Sequence, residues 1–141
     1  MIYTNSDGGA RGNPGPGAIG VVVRDEGKIL VKFSSMVGSF VTNNIAEYEA
    51  LIMALELASE HTSDEVTCVL DSELIVKQLL GEYRVRNPKL LELFLKVQKL
   101  QERFKKIKYL HVSRWNEFQQ IADELLNEEL ENRGFKKYYG R

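Results

Sequence analysis

Apolar residues recur along the chain at two spacings, and the switches between them divide it into elements. Ile2-Tyr3-Thr4-Asn5-Ser6 mixes apolar and polar side chains up to Asp7, which predicts a strand over residues 2–7. Ala-Ile-Gly-Val-Val-Val-Arg from Ala18 to Arg24 is apolar and β-branched and reads as a second strand. Asp25-Glu26-Gly27 makes a turn into a third strand, Lys28 to Ser35. The spacing then lengthens. Ala46, Ala50, Met53, Ala54 and Leu57 recur at helical intervals within Ile45–Ala58, behind Asn43 and Asn44, which suit a helix cap. Val66 to Leu70 is a short apolar strand ending at Asp71. Ser72 can cap a helix from Glu73 to Leu80 that Gly81 stops. After a connector over Tyr83–Pro88, Lys89 to Lys106 reads as one long amphipathic helix with Leu90, Leu93, Phe94, Val97, Leu100 and Phe104 on its apolar face. Ile107–Val112 predicts a fifth strand and Gln120–Arg133 a last helix.

The order βββαβ, two helices, β, α predicts an α/β fold. An antiparallel meander of strands 1–3 is extended by strands 4 and 5 parallel to strand 1, and helices flank the mixed five-stranded sheet. The 141 residues suit one domain, assigned to residues 1–133, with 134–141 as a mobile tail.

Composition narrows the setting. No run of apolar residues is long enough to span a membrane, and the chain starts directly on a strand, without a basic and then apolar leader. The lone cysteine, Cys68, lies in an apolar strand and excludes both an intrachain disulfide and a cysteine zinc site. A cytoplasmic, reducing location and a monomer are expected. A formal net charge of −1 argues against coating nucleic acid by bulk charge. The charge is uneven, however. Nine basic and two acidic residues lie between Arg84 and Lys108, either as the solvated face of a helix or as a phosphate-contacting edge.

Candidate chemistry starts at Asp7. It is followed by Gly8-Gly9-Ala10-Arg11-Gly12-Asn13-Pro14-Gly15-Pro16-Gly17, a loop with almost no side chains. One reading is a Gly/Pro hairpin with Asp7 as a turn residue. The other is a carboxylate that holds a hard cation beside a bare backbone, against which a phosphate polymer can lie.

Three more acids stand at element ends: Glu47 in the first turn of the first helix, Asp71 after the fourth strand, and Asp123 in the first turn of the last helix. Each alone could be a helix-start or surface acid. If strands 1 and 4 are adjacent and parallel, Asp7 and Asp71 lie side by side at their carboxyl ends, where open α/β sheets bind ligands, and the other two can reach the same place. Four clustered carboxylates repel unless cations sit among them. All-oxygen ligands select Mg²⁺ or Mn²⁺. Two such ions about 3.5–4 Å apart form the clamp for in-line phosphodiester hydrolysis.

The stretches Asp7–Gly17, Thr42-Asn43-Asn44-Ile45-Ala46-Glu47-Tyr48, Asp71-Ser72-Glu73-Leu74-Ile75-Val76-Lys77-Gln78-Leu79 and Ala122-Asp123-Glu124-Leu125 together resemble type 1 ribonuclease H. They come in the family's order, from about residue 2 to residue 130. The resemblance implies a ribonuclease H-like fold and a nuclease that cuts the RNA strand of RNA–DNA hybrids, leaving 5′-phosphate and 3′-hydroxyl ends. Asp7, Glu47, Asp71 and Asp123 match the family's metal-binding catalytic carboxylates. Gly8, Asn13, Asn43 and Asn44 match positions that line the hybrid's minor groove, where the 2′-OH distinguishes RNA from DNA.

Three departures stand out. Glu73 occupies a position where the family usually has Gln. A catalytic-loop histidine is usual before the last aspartate; here the nearest is His111, twelve residues ahead and within a strand pattern, which favours a structural histidine. Arg114 or Asn116 could then take over phosphate exchange or product release. The stretch from Gly81 to Lys108 has room for one long helix, as in short members that lack the basic protrusion, so Arg84, Arg86 and Lys89 become candidates for gripping substrate. Trp115 could touch substrate or anchor its loop. Phe135, Lys136, Lys137, Tyr138 and Tyr139 suit strand contact by stacking and charge, a docked or mobile tail being the alternative. Two other functions stay open: a hybrid-binding module that cuts weakly, and a related nuclease that also acts on double-stranded RNA.

Overall fold

In the computed structural model, which describes residues 1–136, three antiparallel strands are followed by α/β units. The elements are β1 (Ile2–Ala10), β2 (Gly15–Asp25), β3 (Lys28–Val41), α1 (Asn43–Ala58), β4 (Glu65–Leu70), α2 (Glu73–Leu79), α3 (Pro88–Gln101), β5 (Lys106–His111) and α4 (Glu117–Asn132). The sheet order is β3-β2-β1-β4-β5, with β4 parallel to both β1 and β5, as the sequence pattern predicts.

The main core lies on one face of the sheet. Tyr48, Leu51 and Leu55 of α1 and Leu93, Val97 and Leu100 of α3 pack there against Val66, Cys68 and Leu70 of β4. On the opposite face Leu126 and Leu130 of α4 close over Ala18 of β2. Only α2 and α3 lie between β4 and β5 among the described residues, as expected of a form without a protrusion.

Several boundaries differ from the sequence expectation. The glycine-rich run is mostly strand: Gly8, Gly9 and Ala10 continue β1 and pair with Ile19, Ala18 and Gly17. The chain reverses only over Arg11–Pro14, where Gly12 adopts a left-handed φ of 87° and the Arg11 N–H donates to Pro16 O at 2.8 Å. Strand β3 runs on to Val41 because β2, lengthened to Gly15, offers it pairing partners. α3 stops at Gln101, and Phe104 is buried from the turn that follows it. α1 starts at Asn43: its cap is Thr42, whose Oγ1 accepts from the Ile45 N–H at 3.2 Å, so Asn43 and Asn44 are helical residues rather than caps. α4 starts at Glu117, capped by Asn116.

The tail's first residues are held. Gly134, at φ 90°, ends α4, and the Phe135 N–H donates to Leu130 O at 2.8 Å. Arg11 Nε donates to Phe135 O at 3.2 Å. Lys137, Tyr138 and Tyr139 lie outside the described residues.

Candidate active site

Strands β1 and β4 stop pairing just below the cleft. Their last pair is Asn5↔Val69. Two residues further on in the same register come Asp7 and Asp71, side by side at the carboxyl ends of parallel strands. Asp7 is not the last residue of its strand; β1 continues along β2, and it is β4 that ends. Asp7, Asp71, Glu47 and Asp123 all line one cleft, together with Gly8, His111, Arg114 and Trp115.

Two glycines bring the helix-borne acids in. A Cβ on Gly8 would lie 2.2 Å from the carbonyl of Ala46, the residue before Glu47. A Cβ on Gly20, the β2 partner of Asp7, would lie 2.0 Å from the carbonyl of Ala122, the residue before Asp123. Bare backbone therefore seats α1 and α4 directly on the strands, one on each face, flanking Asp7. Because α1 starts at Asn43 and α4 at Glu117, Glu47 and Asp123 sit in the second turns of their helices rather than the first. Gly8 lines the cleft, but what its lack of a side chain accommodates is α1.

The carboxylates perturb one another. Burial pushes Asp7 well above the ordinary carboxylate range, and the nearby charges of Asp71, Glu47 and Asp123 push it further. Burial and then Asp71 raise Glu47 from 4.5 to about 8, partly offset by a hydrogen bond from Ser72, whose Oγ also caps α2. Burial raises Asp71 as well, with a further push from Asp123, while a hydrogen bond from its own backbone and, less strongly, Gln119 and His111 pull it back.

Among the described residues no three acidic or histidine side chains close around one point as a ready-made cage. Asp7, Glu47, Asp71 and Asp123 are the residues that could hold Mg²⁺ or Mn²⁺, ions that keep several waters and share their coordination with substrate phosphates. The four acids offer only oxygen donors, and no cysteine lines the cleft.

The remaining predicted residues divide. His111, whose strand pattern favoured a structural histidine, is the last residue of β5, exposed, and lines the cleft. Arg114 stands over the Trp115 ring at 4.8 Å, and Trp115 is 69% exposed. Asn116 lies outside the cleft lining; its Oδ1 accepts from Phe118 and Gln119 N–H at 3.1 and 3.2 Å, and this capping accounts for it. Glu73 turns along α2 to Lys77, 3.1 Å away.

Asn13, Asn43 and Asn44 line a second groove beside Glu47. Asn13 Oδ1 accepts from Asn43 N–H and Asn43 Oδ1 from Ala10 N–H, both at 2.9 Å. Their oxygens thus clamp the β1–β2 turn to α1, which leaves their amide NH₂ groups for a ligand. Asn87, which the sequence reading passed over, caps α3 and lines the same groove. Its signal was Asn directly before Pro at a helix start. Arg84 and Arg86 are exposed on the connector to α3, and Lys89 is 3.8 Å from Glu92; none of the three lines either groove.

Residues 5–129 match the family model described as reverse transcriptase-like. The chain belongs to the type 1 ribonuclease H family. It is 36% identical over 132 residues to a bifunctional protein (Rv2228c) of Mycobacterium tuberculosis, covering 92% of this chain but 35% of that protein. It therefore spans about a third of the length of that relative. The crystal structure of ribonuclease H1 from Halobacterium salinarum superposes with a TM-score of 0.87 at 35% identity, over 93% of this chain and 98% of that one. The structure of LC11-RNase H1 in complex with an RNA/DNA hybrid superposes with a TM-score of 0.87 at 42% identity, over 94% and 99%. No helix among the described residues is long and apolar enough to cross a membrane.

Proposed function

We propose that the protein is an endoribonuclease that hydrolyses the RNA strand of RNA–DNA hybrids, leaving 5′-phosphate and 3′-hydroxyl ends. The observation that carries this reading is the gathering of Asp7, Glu47, Asp71 and Asp123, from β1, α1, the turn after β4 and α4, on one cleft. The hybrid bound by the homologous LC11 enzyme supports the substrate class.

In this reading the four carboxylates hold two Mg²⁺ or Mn²⁺ ions. When bound, the ions activate the attacking water and offset charge on the leaving oxygen. The protein's own part is positioning. Gly8 and Gly20 let both helices approach, so that Glu47 and Asp123 flank Asp7. The NH₂ groups of Asn13, Asn43 and Asn44, joined by Asn87, meet the minor groove, where donors can read 2′-hydroxyls without reading sequence. His111 and Arg114, at the open rim, assist phosphate exchange and product release.

The test is a panel of labelled duplexes (hybrid, double-stranded RNA, double-stranded DNA) offered to the parent protein and to Asp7→Asn with Mg²⁺ or Mn²⁺. Cleavage confined to the RNA strand of the hybrid and lost in Asp7→Asn is expected. Undiminished cleavage by a folded Asp7→Asn protein overturns the assignment.

A further inference from the structure

Beneath the carboxylates runs a buried chain of amides whose direction is set from one end. Arg24 packs between two rings, 4.6 Å from the centre of Tyr3 and 4.1 Å from that of Phe118. A guanidinium can only donate, and its Nε–H lies 2.9 Å from Asn5 Oδ1. The Asn5 amide is thereby oriented, and its Nδ2 donates to Gln119 Oε1 at 3.2 Å. Gln119 must then turn its Nε2 the other way, where it donates to Ser6 O at 2.7 Å. Gln119 is 1% exposed, so an unpaired amide here would carry a full desolvation penalty.

The end of this relay coincides with the parting of the sheet. The β1–β4 ladder ends at Asn5↔Val69. One residue beyond, the Ser6 carbonyl takes its hydrogen bond from Gln119, and that carbonyl belongs to the peptide leading into Asp7. Gln119 also acts on Asp71, offsetting part of the upward push that burial gives its carboxyl.

Resting on the ribonuclease H reading above, we propose that Gln119 is a positioning residue: its amide holds the Ser6 carbonyl just past the end of the β1–β4 ladder and so fixes where the backbone places Asp7. Arg24 and Asn5 fix which way that amide faces. The role differs from that of the carboxylates, because Gln119 acts on the bound ions only through them.

Three measurements on Gln119→Leu and Gln119→Asn test this: thermal unfolding, kcat and KM for hybrid cleavage, and the Mn²⁺ concentration that half-saturates thermal stabilisation without substrate. Gln119→Leu removes the amide. Gln119→Asn keeps one but withdraws it by a methylene, which safeguards the test should the leucine variant unfold. The expected result for each folded variant is a kcat and a Mn²⁺ affinity lower by about 10–100-fold, with KM for the hybrid within about threefold of the parent. A folded variant of either kind with kcat and Mn²⁺ half-saturation within twofold of the parent overturns the proposal. Asp7→Asn, run alongside, separates the two levels: if it loses cleavage while the Gln119 variants keep it, only the positioning role falls. If Asp7→Asn still cleaves, the reading beneath it falls.

Discussion

Replacing Gly20 by Ala adds one methyl group to the middle of β2, and its cost follows from what that methyl would meet. The new Cβ would stand 2.0 Å from Ala122 O, 2.9 Å from Ala122 C and 3.0 Å from Leu125 Cβ. The obstruction is helix backbone, which cannot rotate away as a side-chain tip would. Restoring a tolerable separation of about 3 Å requires α4 to retreat by about 1 Å along the line from β2. Overpacking of this kind costs about 1–3 kcal/mol, and a backbone obstacle argues for the upper end. For a domain of this size about 3 kcal/mol lowers Tm by roughly 10 °C. Function should suffer more than stability, because Ala122 is bonded to Asp123 and any retreat of α4 carries that carboxylate with it. A misplacement of about 1 Å in a reacting constellation costs on the order of 100-fold in rate. The assay pairs urea unfolding with hybrid cleavage at a temperature where parent and variant are both folded. Gly27→Ala is the control: nothing lies within 4 Å of its Cβ, so it should change neither measurement appreciably. A Gly20→Ala protein with stability within about 0.5 kcal/mol of the parent and full activity would refute the argument that bare backbone at Gly20 seats α4.

Two further outcomes are expected. Glu47 is raised from 4.5 to about 8 in the folded protein, and Asp7 is raised as well, so the fold favours their protonated forms. Their contribution to stability is complete below the unfolded value and is lost as pH rises through the folded one. Without divalent ions, Tm should therefore fall between pH 4.5 and 8, and saturating Mg²⁺ should flatten that slope; calorimetry with chelator showing Tm rising across the window would contradict it. Arg11→Ala removes hydrogen bonds from Nη2 to Asn127 Oδ1 at 2.9 Å and from Nε to Phe135 O at 3.2 Å, for a loss of about 1 kcal/mol in urea unfolding. If holding Phe135 accounts for part of that loss, Arg11→Ala combined with deletion of residues 135–141 should cost less than the sum of the two changes, and strict additivity would count against it.

The four carboxylates stood out in the sequence because each lies near a strand–loop or loop–helix switch, and such switches depend on a few neighbouring residues, although the structure moves Asp7 inside β1 and Glu47 and Asp123 into second helical turns. Sheet order and the adjacency of Asp7 and Asp71 were legible for a related reason: a parallel β1–β4 pair leaves few other arrangements for βα units. What brings the acids together was harder to read. The run Gly8 to Gly17 looks like an extended turn when glycine is taken only as a chain reverser, yet all but Arg11–Pro14 of it is paired strand. Gly20 sits alone between Ile19 and Val21, where it contributes nothing to a strand pattern and gains meaning only from a helix more than a hundred residues later.

Gln119 was missed through a boundary. With α4 beginning at Glu117, the buried positions Gln119, Ala122, Leu126 and Leu130 form a single helical stripe with one amide on an otherwise apolar face. A helix begun at Gln120 leaves that amide in a loop, where nothing distinguishes it. A buried polar residue on an apolar stripe must find partners or lose several hydrogen bonds' worth of solvation, so it points to whatever polar group lies opposite. Here that group is the Ser6 carbonyl, on the peptide leading into Asp7. The same logic applies to Gly8 and Gly20: a residue that looks wrong for its own element marks the place where another element closes on it.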